Sequence, residues 1–332
     1  MDLYNVFFYP KDMNELGIVL STVVDAGVSS FVELGKMAED SGFDAVLVNE
    51  GRGDALSCAQ AIAERTDSIR IGTNIANIYF RHPFLAAHTA HVISEISRGR
   101  LVLGFGVSHR PLLESLGIDM KDPREELRRY AVTVKKVLEG EKVSNLFPGK
   151  KCPHKVPLLL ASLTIESAAV AGEVADGLMP FLPTRRYIRT LMEAARDAAQ
   201  GVHRNPDDLD CIVSIPTFIS EDTNAAFSAA RYNLAFFAQL PFYRRQWRRC
   251  GFEEAVIELR TAWNSRNRKA AAACVPRELV DQVCVYGSPS QCREQLEAFR
   301  TAGARLPVLA VSPVNEDRLD ATKNAIKLLA PR

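Results

Sequence analysis

The sequence predicts an α/β protein, a (β/α)8 TIM barrel with helices inserted after the seventh strand, and three observations lead there. Short apolar runs alternate with stretches of helical periodicity, the rhythm of parallel strands joined by helical crossovers. Eight such strand–helix units are read along the chain. The length of 332 residues suits one barrel of roughly 250 residues plus an insertion better than two small domains. A single domain over residues 1–332, with inserted helices at about 222–275, is therefore expected. An open doubly wound sheet is the rival under the same order rules.

Leu3 to Tyr9 is a short apolar run fit for a first strand, and residues 30–41 place Phe31, Leu34, Gly35 and Ala38 at helical spacing. Asp44 to Val48 is the second strand and Asp54 to Thr66 an alanine-rich helix. The third strand, Ile69 to Ile75, is rich in β-branched residues but interrupted by Gly72 and Asn74. Both tolerate unusual backbone angles, which predicts a bulge at the strand end. Arg81-His82-Pro83 opens a helix with proline in the first turn, and Ser97-Arg98-Gly99-Arg100 closes it with a left-handed cap and cations at the negative dipole end. Leu101 to Val107 is the fourth strand, its alternate glycines leaving room for a flat group.

Pro111 to Gly140 reads as helix broken at Asp122-Pro123, followed by a polar connection to Pro157. Strand five spans Pro157 to Ala161, with its helix over Thr164 to Ala175. Strand six spans Leu178 to Leu182, with a helix from Thr184 to about Gly201. Leu209 to Ile219 is strand seven. Asp222 to Val275 has helical composition and no strand. Ser288-Pro289-Ser290-Gln291 is a capping box with proline at the first helical position, and Leu306 to Val311 is strand eight.

A hydrophobic fraction of 47% with 24% charged residues is ordinary for a globular protein, and a net charge of +1 argues against nucleic acid or an anionic membrane as partner. No apolar run approaches the roughly 20 residues that span a bilayer, and Met1-Asp2-Leu3-Tyr4 begins without a secretory n-region, so a cytoplasmic location is expected. Seven scattered cysteines without a Cys-x-x-Cys pair read as reduced, mostly buried side chains. His88 and His91 have a helical spacing that metal sites use, but no carboxylate or cysteine completes a set; no metal is expected. Phe242 to Arg249 is basic and aromatic, yet its arginines share one helix face and the patch ends there. A solvated face is the better reading, with the aromatics free to line a substrate entrance if the insertion folds over the barrel.

Residues 72–83 and 97–109 together resemble the luciferase-like monooxygenase superfamily, most closely its branch that uses the deazaflavin F420. Weaker likeness runs from Gly42-Phe43-Asp44-Ala45-Val46 to Tyr286-Gly287-Ser288-Pro289. The resemblance implies an oxidoreductase moving a hydride between F420 and a small organic substrate. FMN with oxygen insertion is the alternative, and a non-catalytic binding or partner barrel is a reading of another class. It also implies a ring lying across strands three to six, and a non-prolyl cis peptide in the bulge, matched here by Asn74–Ile75. Several F420 enzymes of the family carry Asp-His where this chain has Asn49-Glu50, and luciferases often carry Glu-His, so the expected histidine is absent.

In a TIM barrel the site belongs at the carboxyl ends of the strands. The candidate cofactor contacts there are Phe8, Asn49, Asn74, Ile75, Gly106, Ser108, Ala161, Ser162, Leu163, Gly177, Pro180 and Phe181. They combine small residues, backbone N–H groups and apolar walls, which suits a flat redox ring. Glu50 and His109 are the candidate proton-transfer groups, since both types can titrate near neutrality when buried, with pocket shaping as the alternative role. Arg110, Arg185 and Arg186 are placed to meet the acidic tail of F420. The expected partner is a small organic substrate, without nucleic acid or membrane, and homodimer assembly is left open.

Overall fold

A computed structural model describes residues 14–24, 26–143, 145 and 149–331. In chain order the elements are β1 (Gly17–Ser21), α1 (Val28–Asp40), β2 (Ala45–Asn49), α2 (Ala55–Ala63), β3 (Arg70–Thr73), β4 (Ala76–Asn77), α3 (Pro83–Ile96) and β5 (Leu101–Gly106). There follow α4 (Arg110–Ser115), α5 (Pro123–Leu138), β6 (Leu158–Leu160), α6 (Ile165–Val174), β7 (Gly177–Leu178), α7 (Arg185–Gly201) and β8 (Asp210–Ile219). The last stretch holds α8 (Thr223–Phe237), α9 (Pro241–Arg249), α10 (Glu253–Asn264), α11 (Arg268–Ala273), α12 (Arg277–Val283), β9 (Val285–Gly287), α13 (Pro289–Thr301), β10 (Leu306–Val311) and α14 (Arg318–Leu329).

The strands pair in parallel in the order β10-β1-β2-β3-β5-β6-β7-β8, and β8 pairs back onto β10 from Leu306↔Ile212 to Val311↔Thr217, which closes an eight-stranded (β/α)8 barrel. Alternation along the strands sorts side chains into two layers. Ala45, Leu47, Val102, Leu159, Met179, Ile212, Leu306 and Val308 pack together in the lumen, with Val19 and Ile75 against them. Their sequence neighbours, such as Val46, Val48, Leu101, Leu103, Leu158 and Leu160, pack outward under the helices.

Local chemistry sets the helix starts. Asp54, Thr164, Thr184, Asp222 and Asp317 each accept backbone N–H bonds as N-caps, and Ser288 and Gln291 form the expected capping box. His82 caps α3 by accepting from the Phe84 N–H, and Arg98 and Gly99 close that helix at φ 55° and 87°. Arg100 then turns inward and donates to the carbonyls of Ser97, Ile69, Ala63 and Thr66, tying the ends of α2 and α3 to the start of β3.

Several expectations are corrected. The first barrel strand is Gly17–Ser21, whose register runs from Gly17↔Ala45 to Ser21↔Asn49 against β2; the expected strand at Leu3–Tyr9 lies outside the described residues. Strand six ends at Leu178, leaving one isolated bridge, Phe181↔Ser214. Pro180 has no N–H for a ladder and Leu182 sits at φ 56°, so the chain turns away. Gly72 serves close approach rather than unusual angles: a Cβ there would lie 1.9 Å from the Val102 carbonyl oxygen across the β3–β5 pair. The space beside Gly104 is already filled, by the Met179 sulfur and the Thr73 carbonyl. β9, which pairs with the end of β8 from Thr217↔Val285 to Ile219↔Gly287, went unread because a three-residue run carries no period.

The segment after β8 is helical as expected. α8 to α12 build a second apolar core in which Leu234, Tyr243, Trp247, Leu259 and Leu279 pack with Leu182 and Phe218 of the barrel. Among the described residues no helix is long and apolar enough to cross a membrane.

Candidate functional site

The carboxyl end of the lumen is walled by short polar and small side chains. Asn49 closes β2 and spends its amide on β1: its Oδ1 accepts from the Thr22 N–H at 3.0 Å and its Nδ2 donates to Ser21 Oγ at 3.2 Å. Asn74 Nδ2 donates to Ser214 Oγ at 2.7 Å. β3 and β8 lie four strands apart in the ring of eight, so this hydrogen bond crosses the lumen.

Between β3 and β4 the chain bulges, and the Asn74–Ile75 peptide bond is cis, as the resemblance implied. Ile75 packs into the lumen cluster, against the open face of Gly106. A Cβ on Gly106 would stand 2.9 Å from both the Ile75 side chain and the Ala161 Cβ. The three residues thus form one small-featured wall across β4, β5 and the end of β6. Ser108, just beyond β5, holds φ 58° and swings the chain toward α4.

His109 is the N-cap residue of α4, yet its side chain does no capping. Its ring centroid lies 6.2 Å from those of both Phe242 and Tyr243 on α9. The Nδ1 atom is buried and finds no hydrogen-bond partner among the described residues. Burial pushes the imidazole below its ordinary pKa, so it is uncharged at neutral pH. Phe181, beyond β7, meets Phe237 and Tyr243 edge-on at 5.3 and 5.9 Å. The insertion therefore stands over the ends of β5 and β7, and α9 brings the aromatic run of the sequence to the entrance. Three of the four arginines of that run, Arg245, Arg248 and Arg249, are exposed as a solvated face, Arg244 donates to the Ala238 and Gln239 carbonyls, and Tyr243, Gln246 and Trp247 are buried.

Glu50 is committed elsewhere. Its Oε2 accepts from the Asn77 N–H at 2.5 Å and its Oε1 pairs with the Arg81 guanidinium. Arg81 also reaches Asp54 at 3.1 Å. Burial pushes the Glu50 carboxyl above the usual carboxylate range, and the Asn77 N–H and Arg81 work against that rise. Both oxygens face donors, an arrangement that suits a hydrogen-bond-accepting carboxylate.

The candidates thus divide. Asn49, Asn74, Ile75, Gly106, Ser108, His109, Ala161 and Phe181 gather at the carboxyl end, and Pro180 is buried. Leu163 packs with the inserted helices. Ser162 is buried, its hydroxyl donating to Leu160 O at 3.1 Å. Gly177 begins β7 at the far end of that strand, where a Cβ would meet the Asp210 carbonyl oxygen at 2.3 Å; close strand approach explains it. Phe8 lies outside the described residues, and Ser21 and Thr22 hold the strand-one position. Arg185 stacks over Phe299 at 5.8 Å, while Arg110 and Arg186 are exposed. Of the two helix-spaced histidines, His91 pairs with Glu95 at 3.1 Å and His88 packs edge-on to Phe84 at 4.4 Å. Ser214 and Asn77 were missed, although a serine at an inward position between Ile212 and Pro216 in an apolar strand is a readable signal.

Comparison with known proteins agrees with this architecture. Residues 14–306 match the luciferase-like monooxygenase model. The 5,10-methylenetetrahydromethanopterin reductase of Archaeoglobus fulgidus is 26% identical over 308 residues, covering 89% of this chain and 91% of its own. The solved coenzyme F420-dependent tetrahydromethanopterin reductase of Methanopyrus kandleri superposes with a TM-score of 0.78 at 20% identity, over 96% of this chain and 98% of that one. An F420-dependent secondary alcohol dehydrogenase, solved with an F420–acetone adduct, gives a TM-score of 0.73 at 16% identity, over 96% and 99%. With a family match over residues 14–306, well over half of the chain, the chain belongs to the luciferase-like monooxygenase family.

Proposed function

We propose that the protein is an F420-dependent oxidoreductase that moves a hydride to or from a small organic substrate, with His109 handling the accompanying proton. The observation that carries this is the buried Nδ1 of His109, without a hydrogen-bond partner among the described residues, beside Phe242 and Tyr243 at a strand end walled by Gly106, Ile75 and Ala161. The likeness to F420-dependent reductases supports the choice of cofactor.

The residues fit a flat ring. Ile75, Gly106 and Ala161 offer an apolar wall without bulk, Asn74 and Ser108 supply amide, hydroxyl and backbone polar groups at its edge, and Asn49, its amide held by β1, fixes the neighbouring strand end. Exposed Arg110 and Arg186 are available to an acidic tail, whereas Arg185 is engaged with Phe299. When bound, F420 supplies or accepts the hydride at its ring. The chain then has two tasks. The inserted helices, with Phe181, Phe237, Phe242 and Tyr243, exclude water over the reacting carbon. Neutral His109 accepts the proton of a substrate hydroxyl as hydride leaves the carbon, or returns it in the opposite direction.

Titration of the purified protein tests the reading. F420 is expected to bind at micromolar concentration with a shifted absorption band. Micromolar binding of FMN with none of F420 overturns it in favour of an FMN-dependent monooxygenase. Binding of neither would move the protein to the non-catalytic class.

A further inference from the structure

We infer that Glu50 is a positioning residue, a clamp that holds the bulge from Asn74 to Asn77 in place, and that it takes no part in proton transfer. The carboxylate sits where the resembling families carry a histidine, so the residue type alone suggests chemistry. The geometry assigns it otherwise.

Glu50 grips the bulge from two sides. Its backbone N–H donates to Ile75 O at 3.1 Å, and its Oε2 accepts from the Asn77 N–H at 2.5 Å. The two residues between Asn74 and Asn77, Ile75 and Ala76, are thereby fastened to the end of β2 at both flanks. Asn77 in turn pairs with Gly106 in the β4–β5 register, and the Ile78 N–H donates to Gly106 O at 3.0 Å. The clamp therefore fixes Ile75 relative to Gly106, the two surfaces proposed to receive the ring.

The charge is held from the helix side. Arg81, just ahead of α3, pairs with Glu50 Oε1 and with Asp54, the N-cap of α2. The Glu50 and Arg81 side chains are 4% and 11% exposed, so the pair is shielded from solvent and screened little by salt. The groups facing Glu50 are Arg81, Asp54, the Asn77 and Ala55 N–H groups, and Tyr130 on α5. Among the described residues no hydroxyl or imidazole stands among its hydrogen-bond partners that could pass a proton to a substrate.

The functional consequence rests on the ring-binding reading above, so the experiment keeps the two apart. Hydrogen–deuterium exchange of peptides spanning residues 74–80 is measured without cofactor, in the wild type and in Glu50→Ala and Glu50→Gln. Loss of the charge-assisted acceptor should speed exchange of the Asn77 amide on the order of ten- to a hundredfold in Glu50→Ala, with a smaller effect in Glu50→Gln, which keeps one acceptor oxygen. F420 affinity should fall in the same order. The pH profile of turnover should keep its acid limb in Glu50→Gln, because another group sets it. Arg81→Met should reproduce the exchange phenotype, and Glu50→Gln/Arg81→Met should be milder than the two single effects summed, as for a coupled pair. Unchanged exchange in Glu50→Ala overturns the clamp. So does a Glu50→Gln protein with wild-type exchange and F420 affinity whose turnover and acid limb are lost. If Glu50→Ala does not fold, Glu50→Gln and Arg81→Met carry the same comparison. Failure of the wild type to bind F420 would sink the cofactor reading and leave the exchange result standing.

Discussion

At the scale of single residues, the candidate site separates two titratable side chains that look alike in the sequence. Glu50 has a guanidinium and a backbone N–H on its oxygens, whereas His109 has a buried nitrogen with no partner among the described residues. A group already satisfied cannot take up a substrate proton without losing those bonds. An unsatisfied one gains a bond by doing so. His109→Ala should lower kcat by about 10²- to 10⁴-fold, the usual worth of a positioned acid–base group. Burial lowers the imidazole pKa, so the base form persists below the ordinary histidine value of about 6.5. The acid limb of kcat/KM should therefore lie below that value and vanish in the variant. A limb above pH 7, or a variant with wild-type turnover, would remove His109 from the chemistry.

At the scale of elements, the insertion is more than a flap of helix. α8 to α12 share a core of their own, and α9 is bolted to the loop beyond β7: Gln246 Nε2 and Trp247 Nε1 both donate to Leu182 O, at 2.9 and 3.2 Å. Leu182 is the residue at φ 56° that turns the chain after Phe181. One helix thus holds both the loop bearing Phe181 and the aromatic pair beside His109. Proteolysis at low enzyme concentration should cut within residues 222–275 before it cuts the strands, because this segment adds nothing to the closed barrel. Trp247 is fully buried. Trp247→Ala should cost about 3–5 kcal/mol, typical of an aromatic deleted from a core, and should speed cleavage of that segment selectively. Equal acceleration at sites in β1 to β6 would mean that insertion and barrel unfold as one unit.

At the scale of the whole molecule, part of the acid stability can be traced to one helix–strand tie. Glu39, near the end of α1, accepts at Oε1 from the N–H groups of Asp67, Ser68 and Ile69 at 2.8, 2.7 and 3.1 Å, just before β3. Burial acts to raise its carboxyl, but the Ser68 N–H, Lys36 and the N–H groups of Ile69 and Asp67 outweigh it, taking the pKa from 4.5 to about 2. The folded value is the lower one. Its stabilisation is therefore complete above about 4.5 and drains away as pH falls toward about 2. Thermal melts across that range should show wild type and Glu39→Gln converging as pH drops, with the variant less stable at pH 7. A constant gap at every pH would deny Glu39 this role.

The sequence by itself determined the order of most elements, the helix starts and the barrel, because periods of two and 3.6 residues, caps and proline positions are properties of neighbours along the chain. Asp54, Thr164, Thr184 and Ser288 announced their helices in this way. Only the tertiary structure decided which partners each candidate residue meets. Asn74 and Ser214 are 140 residues apart and meet because eight strands close on themselves. Gly72 reads as a flexible position, Gly104 as room for a flat group and Gly177 as a cofactor contact, but each is required by a backbone or side chain pressed against it from another strand. Glu50 and His109 read alike as titratable groups, and their surroundings diverge with the partners that β4, Arg81 and α9 bring to them. Side-chain chemistry in the lumen is set by contacts across the ring, and local pattern contains no record of those.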